Sequence, residues 1–169
     1  MSTIDLLLRP ARLARLANLA NLAPRLLQGL QSLQPLAQLG ARLYVAQVFF
    51  ASGLTKLRDW DTTLALFRDE YQVPLLSPVL AAWMGTAGEL VLPVLLLLGL
   101  AGRFAALGLS VVNIVAVLSL AEIADAALLQ HQFWGALLLG LLLWGPGRWS
   151  LDAWWWPRWM ARQAPAQSR

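Results

Sequence analysis

The stretch Ala82–Arg103, AWMGTAGELVLPVLLLLGLAGR, decides the fold. It is as long and apolar as a bilayer crossing, for which roughly 20 residues must bridge a ~30 Å hydrocarbon core. Yet Glu89 lies near its middle. An ionised carboxylate at that depth costs at least ~2.5 kcal/mol on insertion scales, so it must face a partner or a cavity. Pro93 follows four residues later; it has no N–H, and its ring clashes with the carbonyl of residue i−4, which is that of Glu89. One turn therefore holds an ionisable side chain and a freed backbone acceptor, and inside a membrane both need partners. Two readings stand: a binding or proton-handling site at mid-membrane, or a structural ion pair that locks neighbouring helices beside a proline kink.

Working outward, the composition agrees with a membrane. The 169 residues are 59% hydrophobic and 13% charged, where a soluble domain is ~25% charged. The chain reads as a small all-α integral membrane protein with one membrane domain. It has no cysteine and a single histidine, His131. Thiol and disulfide chemistry, a bis-histidine haem and a multi-histidine metal centre are therefore excluded within this chain. The net charge of +4 does not point to nucleic acid, because the basic residues bracket apolar spans.

Residues 1–39 are leucine-rich and basic. Leu13, Leu16, Leu19 and Leu22 recur every third residue, with Arg12 and Arg15 between them, and the pattern resumes after Pro24 through Leu26, Leu27, Leu30 and Leu33. This predicts one or two amphipathic helices on an anionic lipid surface, broken near Pro24; a partner-docking helix is the other reading. The first span is expected at 41–57, with Arg42 and Lys56 snorkelling to opposite interfaces. In the loop 58–78, Asp59 or Asp61 is expected to cap a short helix through Tyr71, with Leu64 and Phe67 inward. Further spans are expected at 79–100, 104–121 and 130–145, the last beginning as early as Ala126. Residues 153–169 form a Trp/Arg-rich tail suited to the headgroup layer.

Ten of the thirteen Lys/Arg lie at the N-terminus, the Arg103 turn or the C-terminus; only Lys56, Arg58 and Arg68 lie on the other side. The positive-inside rule then places both termini in the cytoplasm. In that topology Glu89 and Asn113 sit at similar depth, within hydrogen-bonding reach given suitable helix rotation. Lys56 lies about one and a half turns above them and reaches either Glu89 or Glu122. A second cluster, Glu122, Asp125, His131 and Trp134, gathers at the outer end. It reads as a histidine proton acceptor beside carboxylates or as an ordinary wet helix end. The candidate site residues are thus Glu89, Lys56, Asn113, His131, Glu122 and Asp125.

Four segments in order, ARLYVAQVFFASGLTKLRDWD (41–61), FRDEYQVP (67–74), GELVLPVLLLLGLAGR (88–103) and GPGRWSLD (145–152), resemble the DoxX family of small membrane proteins. The resemblance covers about residues 40–152 and implies a polytopic four-helix membrane bundle in the bacterial inner membrane. The matching family positions are Gly53, Lys56, Glu89, Gly99, Arg103, Gly145, Gly147 and Asp152. The family's name-giving members are associated with a terminal quinol oxidase, and others with thiosulfate:quinone oxidoreductase or oxidative-stress complexes. The resemblance thus implies an accessory subunit of a quinone-linked redox complex, and at most a subunit without a cofactor of its own in a quinone-dependent oxidoreductase. No haem, flavin or metal-cluster motif is present; quinone is the candidate ligand. Membrane lipid and a protein partner or homo-oligomer are the expected partners, and nucleic acid is not. A non-enzymatic anchor or assembly partner for a redox or metal-handling protein is the alternative, and a small transporter a third.

Overall fold

A computed structural model describes the backbone of residues 3–155 and 159, and side chains from residue 24 onward except Arg25. The helices α1 (Thr3–Arg58), α2 (Trp60–Asp69), α3 (Pro78–Leu98), α4 (Gly102–Leu118) and α5 (Asp125–Trp144) follow one another, and residues 151–155 are helical as well. The described residues contain no strand. Two of the helices, α3 and α5, are long and apolar enough to cross a membrane, and α4 is apolar but shorter, at 17 residues. Contacts divide the chain into residues 1–36 and 37–169.

The first unit corrects one expectation. The backbone is helical through Pro24, where a break was expected. One proline removes one helical hydrogen bond, and the leucine, alanine, arginine and glutamine around it are strong helix formers that carry the helix on. Leu26, Leu27, Leu30, Leu33 and Leu36 are exposed. The repeat Leu13, Leu16, Leu19 and Leu22 lies among residues whose side chains are outside the description, as does most of the tail beyond Trp155.

In the second unit each boundary has a local cause. Asp59 caps α2 by accepting from the Thr62 backbone N–H at 3.0 Å, and Ser77 caps α3 at Leu80, with Pro78 in the first turn. Proline suits that place because its missing N–H would be unpaired there. α3 continues through Pro93 and ends at Gly99, whose φ of +65° is the left-handed conformation that glycine adopts without a Cβ penalty. α4 begins at Ala101 with no side-chain cap of its own. Asp152 supplies it from fifty residues away, its two carboxylate oxygens accepting from the N–H groups of Ala101 and Gly102 at 2.8 Å each.

Val45 and Phe49 of α1, Leu96 of α3, Ala105, Ala106 and Leu109 of α4, and Leu138 and Leu141 of α5 form one buried cluster. A smaller cluster joins Phe67 of α2 to Ala81 and Ala82 of α3, and Gln72 N–H to Ser119 O at 2.7 Å ties the loop after α2 to the end of α4.

Arg42 corrects a second expectation. It does not snorkel: it is 2% exposed. Its Nε donates to Leu96 O at 2.8 Å, its Nη1 to Pro146 O at 3.0 Å and Trp149 O at 2.6 Å, and its Nη2 to Leu97 O. The last turn of α3 has carbonyls with no helical partner, and the 145–150 segment folds over the arginine and adds two more. That demand for donors outweighs the pull of the interface.

Candidate functional site

The α1–α3 contact is built around a small residue. A Cβ on Gly53 would come within 2.9 Å of Leu90 Cδ2 and 3.1 Å of Glu89 Cβ, so the helices approach closely here only because position 53 lacks one. One turn on, Lys56 Nζ donates to Glu89 Oε2 at 2.6 Å, to Glu89 Oε1 at 2.8 Å and to Ser52 Oγ at 3.0 Å. The ammonium has three protons, and all three are used. Of the two destinations open to Lys56, Glu89 is the one taken; Glu122 is exposed. Glu89 itself is 7% exposed.

Asn113 does not meet Glu89. It is 5% exposed and turned to α5, where its Nδ2 donates to the His131 backbone carbonyl at 3.0 Å and its Oδ1 lies 2.8 Å from His131 Nδ1. Depth alone does not choose a partner; the rotation of α4 selects the other neighbour. His131 also leaves the acidic cluster expected for it. Glu122 and Asp125 are exposed, and among the described residues neither pairs with the ring. His131 instead packs edge-on against Trp134, centroids 4.9 Å apart, and Trp134 packs on Phe49 and donates to Tyr44 Oη at 3.4 Å.

Lys56, Glu89, Ser52, His131 and Trp134 share one cavity of about 410 Å³. Lys56, Glu89 and Ser52 line it from α1 and α3, His131 and Trp134 from α5, and Tyr71 from the loop after α2. The rest of the wall is largely apolar, including Val48, Phe49, Met84, Val111, Val112 and Val115. Tyr71 packs edge-on to Phe67 at 5.0 Å. Burial, helped by the charges of Glu70 and Glu89, pushes its phenol above its ordinary value, so it stays protonated. Few fixed polar groups in an apolar hollow of this size are the ordinary make-up of a small-molecule site. Among the described residues no three acidic or histidine side chains converge as a metal would need.

Ser52 and Tyr71 are site residues that sequence reasoning missed. Ser52 is one helical turn before Lys56, a spacing that puts both on one face, and that signal was present. Tyr71 enters from an irregular loop, whose path has no periodic pattern to read.

The DoxX family profile matches residues 37–122, just over half of the chain, and takes in Ser52, Lys56, Tyr71, Glu89 and Asn113 but not His131. No curated protein and no solved structure matches.

Proposed function

The chain belongs to the DoxX family of small membrane proteins, and on that premise we propose that it is an accessory subunit of a quinone-linked redox complex. In this reading it is a four-span bundle of the bacterial inner membrane, spanned by the second half of α1 with α3, α4 and α5, and both termini are cytoplasmic. Lipid surrounds it, and a redox partner supplies the electron carriers.

One observation supports this reading above the rest: the Lys56–Glu89 pair stands in the wall of a mostly apolar cavity. A quinone couple needs an apolar slot for ring and tail and a few polar groups to orient its oxygens; the hollow offers the slot and, in Glu89 and His131, acceptors for the hydroxyls of the quinol form. When bound, a quinone carries two electrons and two protons. The chain's own part is to position the ring, exclude bulk water and hold a carboxylate beside the ring oxygens. Glu89→Gln should abolish quinone-dependent turnover of the complex while leaving its assembly intact; unchanged turnover overturns the proposal.

The exposed leucines at 26, 27, 30, 33 and 36 favour a second reading, a membrane anchor or assembly partner that docks another protein through its N-terminal helix. Deleting residues 1–35 then releases the partner, and retained co-purification counts against it.

A further inference from the structure

We infer that Asn113 locks His131 as a hydrogen-bond acceptor in the cavity wall, so that the site takes a lipophilic ring bearing hydroxyl donors in preference to the same ring bearing carbonyls or ethers. The inference deepens the quinone reading and rests on it only for the identity of the ring.

A backbone carbonyl can only accept, so the Asn113 atom 3.0 Å from His131 O is the amide nitrogen. The amide oxygen is therefore the atom facing His131 Nδ1 at 2.8 Å. An amide oxygen can only accept as well, so Nδ1 carries the proton. In a neutral imidazole the other nitrogen, Nε2, is then a bare lone pair. His131 lines the cavity, and with Nδ1 turned to Asn113, Nε2 is the nitrogen left to a ligand. No protein donor reaches it among the described residues.

The remaining polar groups lean the same way. All three Lys56 protons are committed to Ser52 and Glu89. Glu89 keeps lone pairs beyond those two bonds, since a carboxylate offers about four. The Trp134 N–H points to Tyr44. Glu89 and His131 are thus fixed acceptors, Ser119 spends its hydroxyl proton on Ala116 O at 3.0 Å, and the hydroxyls of Tyr71 and Ser52 can serve in either sense. A hydroquinone or phenol donates to such a wall, whereas a quinone or an aryl ether presents only acceptors to acceptors.

The single histidine makes the test direct. The untagged full chain, labelled with ¹⁵N-histidine and held in detergent micelles, gives one pair of ring resonances. The expected spectrum at neutral pH shows Nδ1 protonated and Nε2 unprotonated, with 4-heptylphenol shifting Nε2 and 4-heptylanisole leaving it in place. Equilibrium dialysis should show the phenol binding about 3- to 10-fold more tightly than the anisole, the contribution of one hydrogen bond. His131→Phe should remove that ratio. Asn113→Leu, which frees the ring, should reduce it. A protonated Nε2, or equal binding of phenol and anisole by the wild-type chain, overturns the inference; because both readings use the unmutated protein, a variant that fails to fold does not blunt them. Decylubiquinol and decylubiquinone separate this inference from the quinone reading. Selection of the phenol with no affinity for either ubiquinone form supports the acceptor wall and overturns the quinone reading.

Discussion

Arg42 and Lys56 leave the same helix, 14 residues and roughly 21 Å apart at ~1.5 Å per residue, and each carries a cation into apolar surroundings. They are satisfied in opposite ways. Arg42 gives its donors to four backbone carbonyls, two at the end of α3 and two in the segment after α5. Asp152, which caps α4, bonds the Gly99 carbonyl through its own N–H at 2.9 Å. That end is held by groups that bond one another, with four of the five arginine donors given to backbone carbonyls. Lys56 gives its donors to a serine and a carboxylate, and the carboxylate still has lone pairs to offer a cavity. The contrast teaches where to look for function. Polar groups bonded to the backbone of neighbouring segments hold the fold, and polar groups that keep capacity in a cavity wall are placed to bind.

The comparison breaks most sharply at Arg42. Arg42→Met strips donors from four carbonyls at once and should cost about 3–5 kcal/mol, since each buried group left unmatched costs ~1–3 kcal/mol and some find other donors. Arg42→Lys should recover little, because a point charge cannot reach four acceptors that a planar fork can. Unfolding by titration with sodium dodecyl sulfate measures both. A methionine variant as stable as wild type would show that the Arg42 end is held by packing alone.

The cavity end should respond less in stability. Lys56→Met or Glu89→Ala leaves one buried polar group unmatched, at about 1–3 kcal/mol each. The double variant removes both charges and should cost less than the sum, which a double-mutant cycle reads as coupling. Strict additivity would mean that the pair is not energetically joined.

Two glycines sharpen the same contrast. Gly99→Ala places a Cβ at φ +65°, against Ser150 and within 2.9 Å of Arg42 Nη2, which should cost about 1–2 kcal/mol. Its effect belongs to the Arg42 end, so phenol binding by the surviving folded protein should be unchanged. Gly53→Ala drives a Cβ into Leu90, at a similar cost of about 1–3 kcal/mol for overpacking. It also shifts Glu89, so binding should weaken as well. Equal effects on binding would erase the division between the ends.

How far the sequence carried the reading depends on range. The limits of α3 were legible because Ser77, Pro78 and Gly99 act within a few residues. So was a cap for α2, offered at Asp59 or Asp61 and taken by Asp59, with Phe67 buried beneath it, although the helix ends at Asp69 and not at Tyr71. Lys56 was legible as reaching either Glu89 or Glu122, since depth in a membrane follows from counting residues, but the choice of Glu89 was not. Rotation does not follow from counting. Asn113 was expected at a depth that suits Glu89, yet packing of α4 on α5 turns it to His131. Arg42 was misread because an arginine at a span end is expected to find water. The segment that covers it comes more than a hundred residues later, and no local pattern announces a fold-back of that range. Asp152 was marked only by family resemblance; its capping of α4 joins groups fifty residues apart, beyond any local pattern.

The smallest expected effect lies outside both ends, at Asp59, and it calibrates them. Its carboxylate accepts from the Thr62 hydroxyl at 2.7 Å and from the Thr62 N–H at 3.0 Å. Those bonds, side-chain first, hold its pKa below the ordinary 3.8. A carboxyl depressed in the folded state contributes stability that is fully present above the unfolded value. That contribution is lost as pH falls through the lower, folded one. The acid response of α2 should therefore set in below about pH 3.8, as faster amide exchange at Thr62. Asp59→Asn keeps an oxygen that can cap but cannot titrate, and should flatten that response while leaving exchange at neutral pH nearly unchanged. An Asp59→Asn variant that responded to acid as wild type does would place the start of the loosening outside the cap. α2 would then be released through the residues it packs against, Ala81 and Ala82 of α3 under Phe67, and its first turn would follow rather than lead.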